Sequence, residues 1–436
     1  MEWQFALLLI IGSFVVLMAT GMPVAFCFLA INIMGALLFW GGGKGLEQLI
    51  LSMASSVCSF TLLPLALFTL MGEVMLHAGI APHVMDALDN WLGRLPGRLS
   101  LLAVGTGTLF AMLTGSSMAS AAMMASTILP EMEKRGYKKA MTLGPIMGSG
   151  SLAIMIPPSG LAVLLGAVGQ ISVGKILIAI TLPGFLLAAV FTAYIIIRCT
   201  LQPDIAPPYT VARPPLLNKV ADTVRYVLPI SFIVFLVTGV IFLGIATPSE
   251  AAATGAMGCL MLAFFYRRLN WQLLKKSGRG TLHMTVMILM ILVGAQAFSQ
   301  NLAFSGASVG LAQLAVGLPL SPIWIFIAMQ GVVLFMGMVM DSISIMMVTL
   351  PIFMPVIHAL GFDPVWFATI YMVNLELGLI TPPFGMTLFA MKGITSCTTI
   401  GEIYREALPF CGLILLTMGL IMVFPEIALW LPKLMR

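Results

Sequence analysis

The residues of this chain best suited to chemistry are small polar and acidic side chains in four short motifs that interrupt apolar stretches. They are TGSS at 114–117, SGSLAIMIPPSG at 149–160, MDS at 340–342 and NLELGLITPPFG at 374–385. Non-helical backbone within a membrane leaves carbonyl and amide groups unpaired, which is tolerated only where protein, ions or water replace the missing partners. The four motifs therefore predict places where backbone carbonyls and hydroxyl groups bind a cation.

Each half contains a proline pair followed by a glycine, in IPPSG at 156–160 and TPPFG at 381–385. Proline lacks a backbone N–H and clashes with the preceding helical turn, so each pair predicts a span that unwinds in its middle. The N-termini of the resulting half-helices can face an anionic substrate, while the unwound carbonyls can hold Na⁺. Proline kinks are also ordinary packing features of membrane helices. Four breaks at matched positions favour a functional site over packing.

Two acidic side chains lie inside apolar segments of the second half, where a charged group is by default a functional hypothesis. Asp341 is the central residue of the MDS motif and precedes a predicted helix. Its carboxylate can cap that helix or bind a cation, and we favour the cation site. Glu376 is either a structural hydrogen-bond partner or a proton site. Glu73 is a further acid of the first half whose partner the sequence does not identify.

The composition places these motifs in a membrane protein. Of the 436 residues, 60% are hydrophobic and 8% are charged, whereas about 25% of a typical soluble domain is charged. Apolar runs that reach about 20 residues can cross a bilayer as a helix. The six cysteines are widely spaced, without a CxxC pair, and the four histidines form no HExxH motif, so we predict no disulfide or metalloenzyme site. We also predict no organic cofactor and no nucleic-acid partner.

No phosphate-binding GxxxxGK[ST] loop occurs in the sequence, so the chain itself cannot use such a loop to hydrolyse ATP. The energy for any transport must then come from an ion gradient or from a partner.

The two halves of the chain repeat one pattern. An ungapped shift of 225 positions carries Pro23 onto Pro248 and Ser117 onto Ser342, and it superimposes the two PPxG motifs. Prolines and glycines mark backbone breaks, so their coincidence is informative although few other positions are identical.

The distribution of Lys and Arg predicts opposite orientations for the two halves, because these residues accumulate in short cytoplasmic loops. The basic clusters lie at 94–98, 134–139, 198–225 and 267–279. The segment 99–131 begins and ends beside basic clusters, so it must enter and return as a hairpin with TGSS at its tip. The segment 321–358 has the same pattern around MDS, but its ends lack basic residues. We expect that hairpin to open to the opposite side.

We therefore predict an all-α polytopic membrane protein built from two inverted structural repeats, each with a re-entrant helical hairpin and a broken transmembrane helix. The predicted parts are a first repeat at 1–200 with hairpin 99–131 and broken span 138–168, a cytoplasmic linker at 201–225, and a second repeat at 226–436 with hairpin 321–358 and broken span 364–392. Each half contributes five crossings, and both termini lie outside. The segment 82–92 is an amphipathic surface helix or an ordinary loop.

The chain resembles, over nearly its whole length, the large membrane subunit of tripartite ATP-independent periplasmic (TRAP) transporters. The motifs that carry the resemblance are GMPVAF at 21–26, GSSMASAA at 115–122, LPEMEKRGY at 129–137, IPPSG at 156–160, ATPSEAAATGA at 246–256 and NLELGLITPPFG at 374–385.

The resemblance implies a Na⁺-coupled importer of organic acids in the bacterial inner membrane, and not an enzyme. It implies two or more coupling Na⁺ ions, a separate small membrane subunit with four spans, and a periplasmic substrate-binding protein. Substrates of the family include C4-dicarboxylates, sialic acid and other sugar or keto acids. An elevator motion is also implied, in which a domain holding both hairpins slides against a static scaffold.

Site residues follow from the resemblance position by position. The first Na⁺ site would use Gly115, Ser116, Ser117, Ser149, Gly150 and Pro157. The second would use Asp341, Ser342, Asn374, Gly378, Thr381 and Pro382. Substrate carboxylates would lie between the tips, at Ser116, Ser117, Ser159, Ser342 and Thr381. Neither tip contains an arginine, so the sequence predicts that amides and hydroxyl groups select the anion.

Three other functions stay open at this stage. A stand-alone ion-coupled anion transporter would share the hairpin design but need no binding protein. An intramembrane enzyme would have to use Asp341 and Glu376, or Glu73, but the sequence has no GxGD-like or HExxH pattern around them. A channel is the third, although two opposed hairpins suit alternating access better than a continuous pore.

Overall fold

In a computed structural model the described residues are 3–93, 95–207, 215–395 and 398–435, with residues 111–114 described by their backbone only. Within these ranges the chain forms helices, turns and connecting segments, and no β-strand. Arg94, Cys397 and the proline-rich part of the predicted linker at 208–214 lie outside the described residues.

The described residues of the first half form eleven α-helices. They are α1 (Trp3–Ala19), α2 (Val24–Phe39), α3 (Gly43–Val57), α4 (Leu63–His77), α5 (Ala81–Leu92), α6 (Arg98–Thr114), α7 (Ser117–Lys134), α8 (Leu143–Gly150), α9 (Gly160–Gly169), α10 (Val173–Ala179) and α11 (Thr181–Leu201).

Eleven further α-helices lie in the described part of the second half. They are α12 (Leu216–Asp222), α13 (Leu228–Phe242), α14 (Pro248–Phe265), α15 (Trp271–Phe304), α16 (Ala307–Gly317), α17 (Pro322–Gly337), α18 (Ser342–Ala359), α19 (Pro364–Ile380), α20 (Met386–Ile394), α21 (Ile400–Val423) and α22 (Glu426–Lys433).

The sequence repeat reappears as a repeat of helices. The shift of 225 positions carries the bounds of α7, Ser117–Lys134, onto those of α18, Ser342–Ala359. The same shift superimposes α1 on α13, α2 on α14, α6 on α17 and α9 on α20 to within a few residues. The hairpins and broken spans of the two halves therefore occupy equivalent places along the chain.

The halves differ where α3 and α4 of the first half correspond to the single 34-residue helix α15. Pro64 lies in the first turn of α4, where a missing N–H costs nothing because that donor has no intrahelical partner. The equivalent position is Leu289, in the interior of α15, where leucine continues a helix. A separate helix α3 was not predicted from the sequence.

The predicted linker is partly helical. Residues 216–222 form α12, and a π-helical turn over 223–227 joins it directly to α13. The amphipathic segment predicted over 82–92 is confirmed as a helix, α5. The Trp91 indole N–H donates to the Thr223 hydroxyl over 2.7 Å, so α5 packs against the helical end of the linker.

Two groups of packed helices can be distinguished, and they contact each other through α4–α6, α4–α9 and α15–α18. In one group, which we name the outer group, α4 packs against α14 and α15, α2 packs against α15, and α13 packs against α14. The other, the hairpin group, contains α6 to α9 and α17 to α21. Across the repeat, α7 packs against α20 and α18 packs against α9. The second helix of each hairpin thus contacts the half-helix that follows the proline pair of the other half.

Glu73 belongs to the outer group and has identifiable neighbours. Its carboxylate lies 3.3 Å from the His77 ring, and its backbone carbonyl accepts a hydrogen bond from the Ser277 hydroxyl of α15. A Cβ atom at Gly280 would lie 2.3 Å from the same carboxylate, so the glycine provides the space that the acid occupies. Glu73 therefore lies at the α4–α15 contact.

Six helical segments of the described chain are long and apolar enough to cross a membrane. They are 60–77, 173–201, 216–242, 271–304, 342–359 and 400–423. Seven shorter apolar helices accompany them, including α1, α2 and α19. The fold is that of a polytopic membrane protein, and the five crossings per half stay a prediction, since they need several of these shorter helices.

Candidate functional site

The tip of the first hairpin meets the broken span of the same half. Gly115 has a φ of +58°, which favours glycine and reverses the chain between α6 and α7. A Cβ atom at this glycine would lie 4.0 Å from the Gly160 nitrogen, at the start of α9. The hydroxyl oxygens of Ser116 and Ser159 accept hydrogen bonds from the first turns of α7 and α9, respectively. Both serines are therefore N-caps.

The end of α8 packs closely against the first hairpin. A Cβ atom at Gly150 would lie 2.8 Å from the Ser117 carbonyl oxygen, and one at Gly107 would lie 2.4 Å from the Ser149 Cβ. The Ser149 hydroxyl donates to the Ile146 carbonyl over 2.8 Å. The structure therefore brings Gly115, Ser117 and Gly150 to one region, and their role in a Na⁺ site stays a prediction.

Both spans predicted to be broken are interrupted at their proline pairs. Helix α8 ends at Gly150 and α9 begins at Gly160, while α19 ends at Ile380 and α20 begins at Met386. The peptide bonds Pro157–Pro158 and Pro382–Pro383 are cis.

In the second half, the hairpin and the broken span meet through α17 and α19. The Asn374 amide donates to the Gln330 carbonyl over 2.7 Å and to its side-chain oxygen over 2.9 Å. Nearer the tip, a Cβ atom at Gly378 would lie 2.6 Å from the Gly337 Cα. The contact at Gly378 is a close helix crossing, and its role as a cation ligand stays a prediction.

Asp341 caps α18. One carboxylate oxygen accepts from the backbone N–H groups of Ile343 and Ser344 over 3.0 and 3.1 Å, and the other accepts from the Ser344 hydroxyl over 2.5 Å. Of the two roles predicted for Asp341, the helix cap is confirmed. Carboxylate oxygens have several lone-pair sites, so the cap leaves room for a cation as well. Ser342 is buried in the first turn of the same helix.

Thr381 and Cys411 surround the carbonyl groups at the end of α19. The Thr381 hydroxyl donates to the Leu377 carbonyl over 2.5 Å, and the Cys411 thiol donates to the Ile380 carbonyl over 3.3 Å. The described hydrogen bonds of Asp341 stay within its own helix and connect it to neither Asn374 nor Thr381.

A hydrogen bond between the halves was not predicted. The Ser117 hydroxyl of the first hairpin donates to the Glu376 carboxylate of the second broken span over 2.5 Å, and both side chains are buried. The internal repeat could not predict this pair, because the shift of 225 equates Glu376 with Ser151. The two residues were recognised individually as polar groups at breaks, and only packing across the halves brings them together.

A cleft of about 740 Å³ lies where the second hairpin tip faces the outer group. Asp341 and Ser344 line one wall, and Arg279 and His283 of α15 line another. The rest of the lining is mostly apolar and includes 23–26 at the start of α2. Asp341 is the only predicted site residue among those lining the cleft in the described chain. Arg279 was missed because the sequence places it in a cytoplasmic basic cluster.

The side chains at both predicted Na⁺ sites fit an alkali cation by their chemistry. They are hydroxyls, an amide and a carboxylate, and backbone carbonyls accompany them, so oxygen predominates, as hard cations require. Within the described residues no three His, Cys, Asp or Glu side chains cluster as a transition-metal site would need.

Comparisons with known proteins identify the family. The model for the tripartite ATP-independent periplasmic transporter, DctM component, matches residues 11–427. The C4-dicarboxylate TRAP transporter large permease protein DctM of Pseudomonas aeruginosa is 33% identical over 86% of both chains. The protein of the same name from Rhodobacter capsulatus is 30% identical over 98% of this chain and 99% of its own length. An ectoine TRAP transporter large permease protein of Halomonas elongata is 26% identical over 97% and 98% of the two chains.

Two solved structures share the fold. The YdaH transporter of Alcanivorax borkumensis superimposes with a TM-score of 0.69 over 95% of this chain and 98% of its own, at 14% identity. MtrF of Neisseria gonorrhoeae, from a class of antimetabolite efflux pumps, gives a TM-score of 0.63 over 89% and 85%, also at 14% identity. With the family match and the motifs at both broken spans, these findings show that the chain belongs to the DctM family of large membrane subunits of TRAP transporters.

Proposed function

We propose that this chain is the permease of a Na⁺-coupled importer that carries an organic acid across a bacterial inner membrane. A periplasmic binding protein delivers the acid, and a small four-span subunit completes the membrane part. The relatives are named for C4-dicarboxylates and ectoine, and a further one, from Oleidesulfovibrio alaskensis, is named for isethionate. Two of these three solutes carry carboxylates and the third is a sulfonate, so a small solute with an anionic group is the shared class.

The cleft beside Asp341 is the observation that carries this proposal. It lies between the tip of one hairpin and a helix of the outer group, where an elevator motion would open and close it. Arg279 and His283 face it from α15 amid mostly apolar lining. A guanidinium binds a carboxylate or sulfonate through paired N–H donors, and low-polarity surroundings strengthen that attraction. The anion would then be recognised by Arg279 as well as by amides and hydroxyl groups.

The breaks in α8–α9 and α19–α20 support the coupling part of the proposal. Each interrupts the regular hydrogen bonding of a helix beside hydroxyl groups, and each lies against the hairpin of its own half. A cation bound there would hold a hairpin tip against a half-helix. The substrate would then bind only when the cation holds the hairpin tip in place. This requirement would couple transport of the substrate to transport of Na⁺.

The inverted repeat and the elevator motion are part of the same proposal. Basic residues lie at both ends of the first hairpin and at neither end of the second, and this difference supports inversion. The reciprocal packing of α7 on α20 and of α18 on α9 supports a hairpin group that moves as one body. The outer group, centred on α4, α14 and α15, is then the static scaffold.

Uptake in proteoliposomes tests the proposed function. The chain is reconstituted with its small subunit, and the matching binding protein is added outside, loaded with a radiolabelled acid that it binds. We expect uptake only when Na⁺ is higher outside than inside. Equal uptake under a K⁺ gradient would contradict Na⁺ coupling, and equal uptake without the binding protein would instead support a stand-alone transporter.

Replacing Arg279 tests the position of the anion. We expect Arg279→Gln to raise the substrate concentration for half-maximal uptake about tenfold, because a charge-assisted hydrogen bond contributes about 1.5 kcal/mol or more. Arg279→Lys should be affected less. Lys275→Gln is the matched control, since Lys275 lies on the same helix outside the cleft. An unchanged half-maximal concentration in Arg279→Gln would remove Arg279 from the site.

A further inference from the structure

Glu376 is a fully buried acid at the junction of the two halves. Its residue has 0% of its surface exposed, and it lies in the part of α19 that precedes the proline pair. Its hydrogen-bond partner, Ser117, is 4% exposed and is the first residue of α7. An acid of the second half thus lies at the tip of the first hairpin.

The carboxylate is only half satisfied by its surroundings. Oε1 accepts the Ser117 hydroxyl over 2.5 Å, whereas Oε2 accepts no hydrogen bond from any described residue. None of the salt bridges of the described chain includes Glu376. Burying an ionised carboxylate without a positive partner is strongly unfavourable. In its ionised form Glu376 therefore needs a positive partner other than a Lys, Arg or His side chain, whereas a protonated carboxyl does not.

The surroundings of this carboxylate are those of the first predicted cation site. The Ser117 carbonyl lies against Gly150, at the end of α8, and Gly115 lies against the start of α9. The residues predicted for that site carry no charge of their own, because they are glycines, serines and a proline. Glu376 would supply the one negative charge of the site, from the other half of the chain.

We propose that Glu376 is the anionic ligand of a Na⁺ ion at the tip of the first hairpin, with the Ser117 hydroxyl beside it. The free Oε2 atom would contact the ion, and the Ser117 oxygen would offer the ion a lone pair while its hydroxyl group still donates to Oε1. This inference rests on the proposed Na⁺ coupling and adds a ligand that the repeat does not predict.

A cation held in this way would join the two halves. It would bind a hairpin of the first half to the broken span of the second, where α20 also packs against α7. Thr387 lies in the first turn of α20 and is buried, with a hydroxyl that has no partner among the described residues. Occupation of the first site would therefore stabilise contact between the halves.

Binding of Na⁺ to purified protein in detergent tests the proposal without transport. The readouts are ²²Na⁺ binding and the rise in melting temperature when NaCl replaces choline chloride, since a ligand of the folded state raises its stability. Glu376→Gln keeps the shape and an acceptor for Ser117 but removes the charge. We expect the Na⁺ affinity of Glu376→Gln to be at least about tenfold lower than that of the wild type. The affinity of Glu376→Asp, which keeps the charge, should lie between those of the wild type and Glu376→Gln.

Glu402→Gln is the control. Glu402 is an acid on α21 that pairs with Lys139, and glutamine also completes its capping box with Thr399. We expect its Na⁺ affinity to match that of the wild type. Melting in choline chloride shows whether each variant is folded. If Glu376→Gln is unfolded, Glu376→Asp replaces it as the test variant.

The outcomes separate this inference from the proposed function. Wild-type affinity for Na⁺ in Glu376→Gln would overturn the inference and leave the coupling intact, because it would make Glu376 a hydrogen-bond partner only. Failure of the wild type itself to bind Na⁺ would overturn the coupling, and this inference with it. Loss of Na⁺ binding in Glu376→Gln, together with wild-type binding in Glu402→Gln, supports Glu376 as a Na⁺ ligand.

Discussion

Asp341→Asn should fold and insert normally yet lose at least about nine-tenths of its Na⁺-driven uptake. Asparagine is about as good an N-cap as aspartate, so the cap on α18 should survive and the melting temperature should change little. The substitution removes the negative charge at the hairpin tip, where the carboxylate lines the cleft. The measurement is initial uptake in proteoliposomes over a range of Na⁺ concentrations, together with melting in detergent.

Asp363→Asn is a matched control for this substitution. Asp363 caps α19 through hydrogen bonds of 2.7 and 3.0 Å from Val365 and Trp366, in the same manner as Asp341 caps α18. It does not line the cleft. We expect its asparagine variant to transport at the wild-type rate. If Asp341→Asn did so too, Asp341 would be a helix cap and no more.

Gly378→Val should abolish uptake by forcing α17 and α19 apart. A Cβ atom at Gly378 would lie 2.6 Å from the Gly337 Cα and 3.1 Å from its carbonyl carbon, and backbone atoms cannot move aside as the end of a flexible side chain can. Overpacking in a core typically costs about 1–3 kcal/mol, and a clash with backbone lies at the upper end. We expect a melting temperature several degrees lower and no measurable Na⁺-driven uptake.

Gly331→Ala is the control for this prediction. Gly331 lies on the same helix as Gly337, and an added Cβ there has no neighbour within 4 Å. Alanine is also the better helix former, so its stability should be equal or higher. Wild-type melting and uptake in Gly378→Val would show that the two helices do not cross as closely as described here.

The local parts of the fold were predictable from the sequence because particular residues determine them. The proline pairs 157–158 and 382–383 cannot continue a helix, and both spans break there. The hairpins were predicted within a few residues of α6–α7 and α17–α18, because polar tips interrupt long apolar runs. Thr247 and Glu250 form a capping box at the start of α14, as a threonine followed three residues later by a glutamate favours.

The contacts between distant segments were not predictable in the same way. Ser117 and Glu376 are 259 positions apart, and only the packing of the second broken span on the first hairpin brings them together. Arg279 belongs to a basic cluster at 267–279 that is typical of a cytoplasmic loop. In the structure it lies on α15 and faces the cleft. A linear pattern identifies polar residues at breaks, but it does not say which of them meet.

The uninterrupted length of α15 distinguishes the second half from the first, where α3 and α4 occupy the equivalent positions. At 1.5 Å per residue its 34 residues extend about 51 Å, well beyond the roughly 30 Å of a hydrocarbon core. The helix must therefore tilt or protrude, and its first turns, with Lys275 and Lys276, can reach the phosphates of lipid headgroups. In the first half Pro64 lies at the start of the separate helix α4, so only the second half contributes one continuous helix of this length to the outer group.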